Sequence, residues 1–315
     1  MRMLIIGGSG QVGWELQRAL LPLGEMMVAR RDALDLSATE NFEQALASYQ
    51  PDAVINAAAY TAVDAAEAHP ELADAINHRA VAVLAELAAR SGIWLVHYSS
   101  DYVFDGHGSE PFSENHPTGP LNTYGASKLA GDLAIVASGC KHLILRTSWV
   151  HSPRGSNFVR SILRLAGERE QLSVVADQFG APTSADLIAD ITAHALARLK
   201  GTDSGSGIYH LAATGETNWH EIAQTVVAEA RRLGSGIKLE PRAIEPITTS
   251  QYQTAAVRPL NVQRRVRQEQ NRHEAPAGDG RPIEDLPDSV AGGDADGRRD
   301  ECPGQIEDEQ EGRGR

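Results

Sequence analysis

The chain has 315 residues, 42% of them hydrophobic and 23% charged, enough to bury a sizeable core and to build two lobes. Its net charge of −13 excludes nucleic acid as a general partner, because phosphate binding needs a basic footprint. No apolar run reaches the ~18 residues of a membrane helix, the N-terminus shows no basic-then-apolar leader, and Cys140 and Cys302 stand far apart, all of which fits a reducing cytoplasm.

In chain order, short apolar runs alternate with helical patterns. The run at 3–6 predicts a strand, and 11–23 predicts a helix with Val12, Leu16, Ala19, Leu20 and Leu23 along one face. A second strand follows at 26–29, a helix at 40–48 and a third strand at 53–58. An Ala-rich helix is predicted over 71–90, a fourth strand over 94–99, a helix over 124–137 and a fifth strand over 143–147. Strands alternating with helices imply parallel βαβ units. Runs this apolar suit a sheet covered on both faces. The expectation is an α/β fold, a doubly wound parallel sheet of the Rossmann type over 1–150. Beyond it, helices at 157–169, 186–199 and 219–233 and a strand at 208–212 predict a smaller C-terminal substrate lobe over 151–261, with the chain crossing between the lobes. Residues 262–315 hold no Phe, Trp or Tyr, only six Val, Leu or Ile, and 9 basic against 14 acidic side chains. Such a segment buries too little apolar surface to offset its ordering, so it is expected to be a disordered acidic tail.

Gly7, Gly10 and Gly13 follow the first strand and open the first helix. In a dinucleotide-binding turn the first glycine permits the tight bend, the second lets the backbone approach a pyrophosphate, and the third lets helix and strand pack closely. The phosphates then sit at the helix N-terminus, where N–H groups and the helix dipole favour anions. The end of the second strand selects the ribose. An acid there suits NAD, and a basic residue accommodates the 2′-phosphate of NADP. Here Arg30 and Arg31 stand at that position and favour NADPH, with Asp35 and Leu36 next in line to border the adenine. Asn56-Ala57-Ala58-Ala59 closes the third strand with small residues, against which a cofactor can lie.

Tyr124 and Lys128 are four residues apart and share one helix face. A phenol near pKa ~10 is a poor proton donor and acceptor at neutral pH, and a neighbouring cation lowers that value. Tyr124 can then give a proton to a carbonyl oxygen while a nicotinamide gives hydride to its carbon, and Lys128 can hold the nicotinamide ribose. Tyr98-Ser99-Ser100-Asp101-Tyr102 lies at the C-terminal end of the fourth strand, the edge at which doubly wound sheets bind ligands. Ser100 is the candidate donor to the carbonyl, and Ser99 is the alternative, since strand alternation turns only one of them to the site.

These residues resemble the extended short-chain dehydrogenase/reductase superfamily. Several blocks, GGSGQVGWELQRALLPLG, NAAAYTAVDAAE, VHYSSDYVFDG, PLNTYGASKLAGD, LRTSWV and DQFGAPTSADLIAD, narrow the resemblance to the dTDP-4-dehydrorhamnose reductase family over residues 1 to about 261. The resemblance implies reduction of the C4 keto group of a nucleotide sugar by NADPH or NADH. It implies Ser100, Tyr124 and Lys128 as the catalytic set, Ser100 standing where the family usually has Thr. It further implies cofactor contacts at Gly10, Gln11, Val12, Asp35, Leu36, Ala59, Tyr60, Thr61 and Tyr98, and sugar-nucleotide contacts at Asp101, Tyr102 and Trp149. Trp149 also reads as core packing. Some members form a homodimer bridged by magnesium. Glu15 matches one acidic position of that bridge and Asp186 replaces another, while the C-terminal acid is absent. The resemblance ends where Arg258-Pro259-Leu260-Asn261 runs into Val262-Gln263-Arg264, a break that a shift of reading frame just after Asn261 would produce. Two other readings stay open. One is a reductase or epimerase of another nucleotide sugar. The other is a non-catalytic NADP-binding subunit like the regulatory subunit of methionine adenosyltransferase.

Overall fold

The computed structural model describes residues 1–31 and 34–263. The expected acidic tail lies outside the described residues except for Val262 and Gln263. Val262 is buried and donates its N–H to Phe179 O at 2.9 Å, so the ordered chain runs at least that far.

Strand β1 (Arg2–Ile6) leads through the glycine turn into helix α1 (Gln11–Ala19). The predicted helix 11–23 stops early, because Pro22 sits in a separate turn, Leu21–Leu23, and Gly24 at φ 143° reverses the chain into β2 (Glu25–Ala29). Helix α2 (Phe42–Tyr49) and strand β3 (Ala53–Asn56) follow. The predicted helix 71–90 is helical from end to end, its first part passing through a π turn. Helix α3 (Val63–Ala68), which the sequence reading did not foresee, is broken from α4 (Pro70–Asp74) by His69-Pro70; a π turn (Ala75–Arg79) then feeds α5 (Ala80–Ser91). Strand β4 (Trp94–Ser100), helix α6 (Thr123–Ser138) and strand β5 (Lys141–Thr147) agree with expectation to within a few residues. Beyond them come β6 (Val150–His151), α7 (Phe158–Glu168), β7 (Leu172–Val175), β8 (Phe179–Gly180), β9 (Thr183–Ser184) and α8 (Ala185–Leu199). The chain then forms β10 (Gly207–His210), β11 (Thr217–Asn218), α9 (Trp219–Arg232) and β12 (Ile244–Ile247).

Six strands form one sheet in the order β2-β1-β3-β4-β5-β10, every pair parallel. Side chains alternate across it. Leu4, Ile6, Val54, Leu95 and Ile144 pack under α2, α5 and α6, whereas Met3, Ile5, Ile55, Val96 and Leu145 pack under α1 and α8. Helices therefore cover both faces, and the fold is a doubly wound α/β sheet of the Rossmann type. Strand order reverses around β1, and the crevice outside the C-terminal strand ends at such a switch point is where this architecture holds ligands. A further cluster joins α7 and α9 to β7 and β12, which pair in parallel; Ile162, Leu172, Val227 and Ile244 are its centre. Strands β7 and β12 have no counterpart among the predicted elements.

Candidate active site

The glycine turn is shaped as its spacing predicts. Gly7 has φ 83°, a conformation that costs glycine little. Gly10 N–H closes the bend on Gly7 O at 3.0 Å. A Cβ at Gly13 would stand 2.1 Å from Gly7 O, which is the close helix approach expected of the third glycine. A Cβ on Gly8 would meet Val28 Cγ1 at 2.2 Å, a demand the motif alone did not reveal. Helix α1 starts at Gly10 with no side-chain cap and no acid in its first turn. Its first N–H groups have no intrahelical acceptor, so the turn is a cradle for an anion. The residues present thus fit a dinucleotide pyrophosphate. Gln11 Oε1 accepts from Asn157 Nδ2 at 2.8 Å and ties the turn to the start of α7, while Val12 packs into the core.

Arg30 and Arg31 are both exposed just past β2. Arg31 Nε pairs with Asp35 at 3.3 Å. Asp35 accepts from the backbone and hydroxyl of Ser37, which hold its carboxyl below the usual range. Leu36 is buried beside the α2 core. Ala59, Tyr60 and Thr61 continue from the end of β3. Tyr60 is held on both backbone groups by Asn77, whose Oδ1 accepts from its N–H at 2.8 Å and whose Nδ2 donates to its oxygen at 3.0 Å. Asn77 also donates to Ser127 Oγ on α6 at 3.0 Å. This buried residue sits in the π turn, a distortion often found at functional sites. Sequence reasoning passed over it as one polar residue in an Ala-rich helix.

Helix α6 is fixed at its start by two outside carboxylate and amide groups. Glu67 accepts from Thr123 N–H and Oγ at 2.8 and 2.9 Å, and Asn122 Oδ1 accepts from Gly125 N–H at 2.8 Å. Tyr124 stands in the first turn, edge-on to Tyr102 with ring centroids 5.8 Å apart. Lys128, one turn on, is fully buried. Its Nζ donates to Tyr98 O at 2.7 Å and lies 2.9 Å from His97 Nε2. Burial pushes the Lys128 ammonium down to about 8, against the pull of Asp132. Burial, and then Lys128, hold His97 well below its usual range. Asp132 is raised by its burial, opposed by Arg146, Lys128 and Ser99.

The two serines part as strand alternation requires. Ser99 Oγ donates to Asp132 Oδ2 at 2.8 Å, beside the buried Asp132–Arg146 pair at 3.2 Å. Ser100 Oγ donates to Asp101 at 2.8 Å and accepts from Tyr102 N–H at 3.2 Å, at the strand edge. Tyr98 turns its ring away, its hydroxyl 2.8 Å from Thr192 of α8; it reaches Lys128 only through its carbonyl. Tyr102 is pushed up by burial and by Asp101. Trp149 has φ 46°, which a bulky residue rarely adopts. It stacks on Trp219 at 3.8 Å, beside a small cavity of about 60 Å³ that Phe158 and Pro182 help to line. Arg258, in the block where the resemblance ends, pairs with Asp64 of α3 at 2.7 Å, and Asn122 donates to Val257 O at 2.8 Å. The segment before residue 263 is thus tied to α3 and to the N-cap of α6.

The magnesium expectation finds no support. Glu15 pairs with Arg18 at 3.5 Å, Arg18 with Asp190 at 2.9 Å, and among the described residues no group of three or more His, Cys, Asp or Glu is placed to hold a metal ion. Among those residues no helix is long and apolar enough to cross a membrane.

Comparison with known proteins identifies the family. The model of the RmlD substrate binding domain family matches residues 1–277. The chain belongs to this family. It is 49% identical over 266 residues to a dTDP-4-dehydrorhamnose reductase of Burkholderia thailandensis, covering 83% of this chain and 89% of that protein. It is 47% identical over 265 residues to the enzyme of the same name from Escherichia coli K12, covering 83% and 88%. Among solved structures, a dTDP-4-dehydrorhamnose reductase from Bacillus anthracis in complex with NADP superposes with TM-score 0.76 at 34% identity, covering 84% of this chain and 90% of that one. These RmlD-family relatives favour the reductase reading over a binding subunit. A Thermus thermophilus UDP-glucose 4-epimerase, at 23% identity and TM-score 0.65, shares the fold.

Proposed function

We propose that the chain is an NADPH-dependent dTDP-4-dehydrorhamnose reductase, converting the C4 ketone of dTDP-4-dehydro-L-rhamnose to the alcohol of dTDP-L-rhamnose. The observation that carries the reading is the buried Lys128 one turn from Tyr124, on a helix beside an intact glycine turn. Family membership supplies the substrate class.

Bound NADPH supplies the hydride. The first N–H groups of α1 and the Gly7–Gly10 bend are where its pyrophosphate is held. Arg30 and Arg31 favour a 2′-phosphate, and the NADP in the Bacillus anthracis relative supports that preference. At the reacting carbon, Tyr124 gives its hydroxyl proton to the carbonyl oxygen. Ser100 donates a hydrogen bond to the same oxygen once its hydroxyl turns from Asp101. Lys128, while charged, favours the phenolate that remains. Asp101, Tyr102 and Trp149 are assigned to the sugar nucleotide. Activity falls as pH rises through about 8, where Lys128 loses its proton. A cytoplasmic homodimer completes the reading, supported by a buried free Cys140 for the compartment and by the family resemblance for the dimer.

The test is incubation of the full chain with NADPH or NADH and dTDP-4-dehydro-L-rhamnose, with mass analysis of the sugar nucleotide. A gain of two hydrogens, faster with NADPH, is expected. An unchanged substrate from folded, NADPH-binding protein refutes the reading.

A further inference from the structure

Three polar side chains meet in the interior between β3, β4 and α6. Asn56, His97 and Lys128 are each at most 1% exposed. Buried polar groups need partners of the right kind, donor facing acceptor. The contacts here can be followed one link at a time.

The first link is a backbone group. Ala58 N–H lies 3.2 Å from the Asn56 side chain and can only donate, so the Asn56 atom facing it is Oδ1. That fixes the amide. Its Nδ2 then faces His97 Nδ1 at 3.2 Å, so Nδ1 accepts and carries no proton. A neutral imidazole with a bare Nδ1 carries its proton on Nε2. This Nε2–H points at Lys128 Nζ, 2.9 Å away. An ammonium has three donors and no lone pair, whereas an uncharged amine accepts there and still donates to Tyr98 O at 2.7 Å.

We propose that Asn56 and His97 are positioning residues for Lys128: they hold its amine at the end of a one-way chain of hydrogen bonds that begins at Ala58 N–H and is complete only when the amine is uncharged. The proposal rests on the reductase reading for the role of Lys128, but not for the chain itself. When Lys128 is charged, its ammonium donates to Nε2, the imidazole proton moves to Nδ1, and Asn56 must turn its oxygen toward the ring. Ala58 N–H then loses its acceptor. Ala58 is the residue against which Gly7 packs, a Cβ at Gly7 falling 2.6 Å from Ala58 N. Charge on the catalytic amine is thereby linked to the floor of the cofactor turn. The other groups facing Lys128 push differently. Asp132, on its own helix, favours the charge, and Asp132 is itself shared with Ser99 of β4 and Arg146 of β5. Tyr124, one turn earlier, is the group Lys128 serves. Burial opposes the charge, as the chain does.

The deciding experiment is the nitrogen-15 spectrum of histidine-labelled full-length protein, with the His97 signal identified by its loss in His97→Gln. At about pH 9, above the Lys128 value of about 8, the expected state has the proton on Nε2 and none on Nδ1. Lowering the pH through about 8 moves the proton to Nδ1 while the ring stays neutral. A proton on Nδ1 at both pH values overturns the proposal. This measurement needs no turnover, so it stands or fails apart from the reductase reading. Asn56→Asp supplies the kinetic arm. A carboxylate presents an acceptor to both Ala58 and His97, which reverses the chain, fixes the Nδ1–H form at about pH 9, and moves the alkaline limb of kcat upward by about one pH unit or more. If that variant loses kcat equally at every pH, with the limb in place and the Nε2–H form retained, the role is merely structural and the proposal is wrong. Should Asn56→Asp not fold, the wild-type spectrum decides alone.

Discussion

Gly8 offers a test of how the cofactor turn is held. The contact is with a side chain: a methyl at Gly8 would fall 2.2 Å from Val28 Cγ1 on β2, with Gln17 Nε2 next at 3.3 Å. Val28 is β-branched and stiff at χ1, so it cannot simply swing aside. Forcing a methyl into packed space costs roughly 1–3 kcal/mol. For a domain of this size each kcal/mol lowers Tm by about 2–4 °C, so Gly8→Ala should lose about 2–12 °C. Removing the obstructing methyls with Val28→Ala opens the space. That change alone costs about 1–2 kcal/mol, at ~0.8 per buried carbon. The double variant Gly8→Ala/Val28→Ala should then be no less stable than Val28→Ala by itself. Thermal unfolding of the four proteins gives the coupling, and NADPH titration shows whether the turn still binds. If the two losses add to within about 0.5 kcal/mol, the contact does not govern stability and the reasoning fails. Gly13 provides the contrast. Its Cβ would strike Gly7 O at 2.1 Å and Gly8 Cα at 2.8 Å, both backbone, so no side-chain truncation should rescue Gly13→Ala.

Further outcomes follow from the same geometry. Ser99→Ala removes a hydrogen bond to the buried Asp132 carboxylate, worth about 1.5–3 kcal/mol, and should lower Tm with little change in kcat; Ser100→Ala should do the reverse, reducing kcat about 10²-fold at nearly constant Tm. Equal behaviour of the two in kinetics and melting would show that the strand edge has been misread. The Lys128 value of about 8 lies below the unfolded value of 10.5, so the unfolded chain binds more protons between the two; stability contributed by this group rises with pH across that window, by on the order of 3 kcal/mol. Lys128→Met should flatten that rise in denaturant titrations at stepped pH, and an unchanged slope would contradict the burial argument. Asp64→Ala breaks the ties to Arg258 and to the Ala256 N–H, and should raise KM for the sugar nucleotide more than it lowers kcat. A kcat loss with KM unmoved would separate that strap from substrate binding.

Much of this was legible in the chain itself because it depended on local spacing. The five predicted strands of the first half follow from short apolar runs, the glycine turn from glycines three apart, and the Tyr124–Lys128 pair from a spacing of four. The rest depended on contacts distant in sequence. Asn77, in the π turn, holds Tyr60 and Ser127, 17 and 50 positions away. His97 sits in an apolar strand with nothing nearby in sequence to say that Asn56 and Lys128 flank it. Asp64 meets Arg258 across 194 positions. Tyr98 is the instructive case: the strand end was found, but alternation sends its ring toward Thr192 and leaves only its carbonyl for Lys128. Pro22 could have been read as a break, since proline interrupts the backbone hydrogen bonds on which a continuous helix depends.

The central claim is that hydride reaches the C4 carbonyl of the nucleotide sugar while Tyr124 gives the proton. NADPH deuterated at the transferring position of its nicotinamide tests it most directly, in a reaction of the full chain with dTDP-4-dehydro-L-rhamnose followed by NMR of the product. The account predicts deuterium at C4 of the sugar, and its loss in Tyr124→Phe, which should still fold and bind NADPH. Absence of deuterium at C4, or undiminished transfer in Tyr124→Phe, would contradict it.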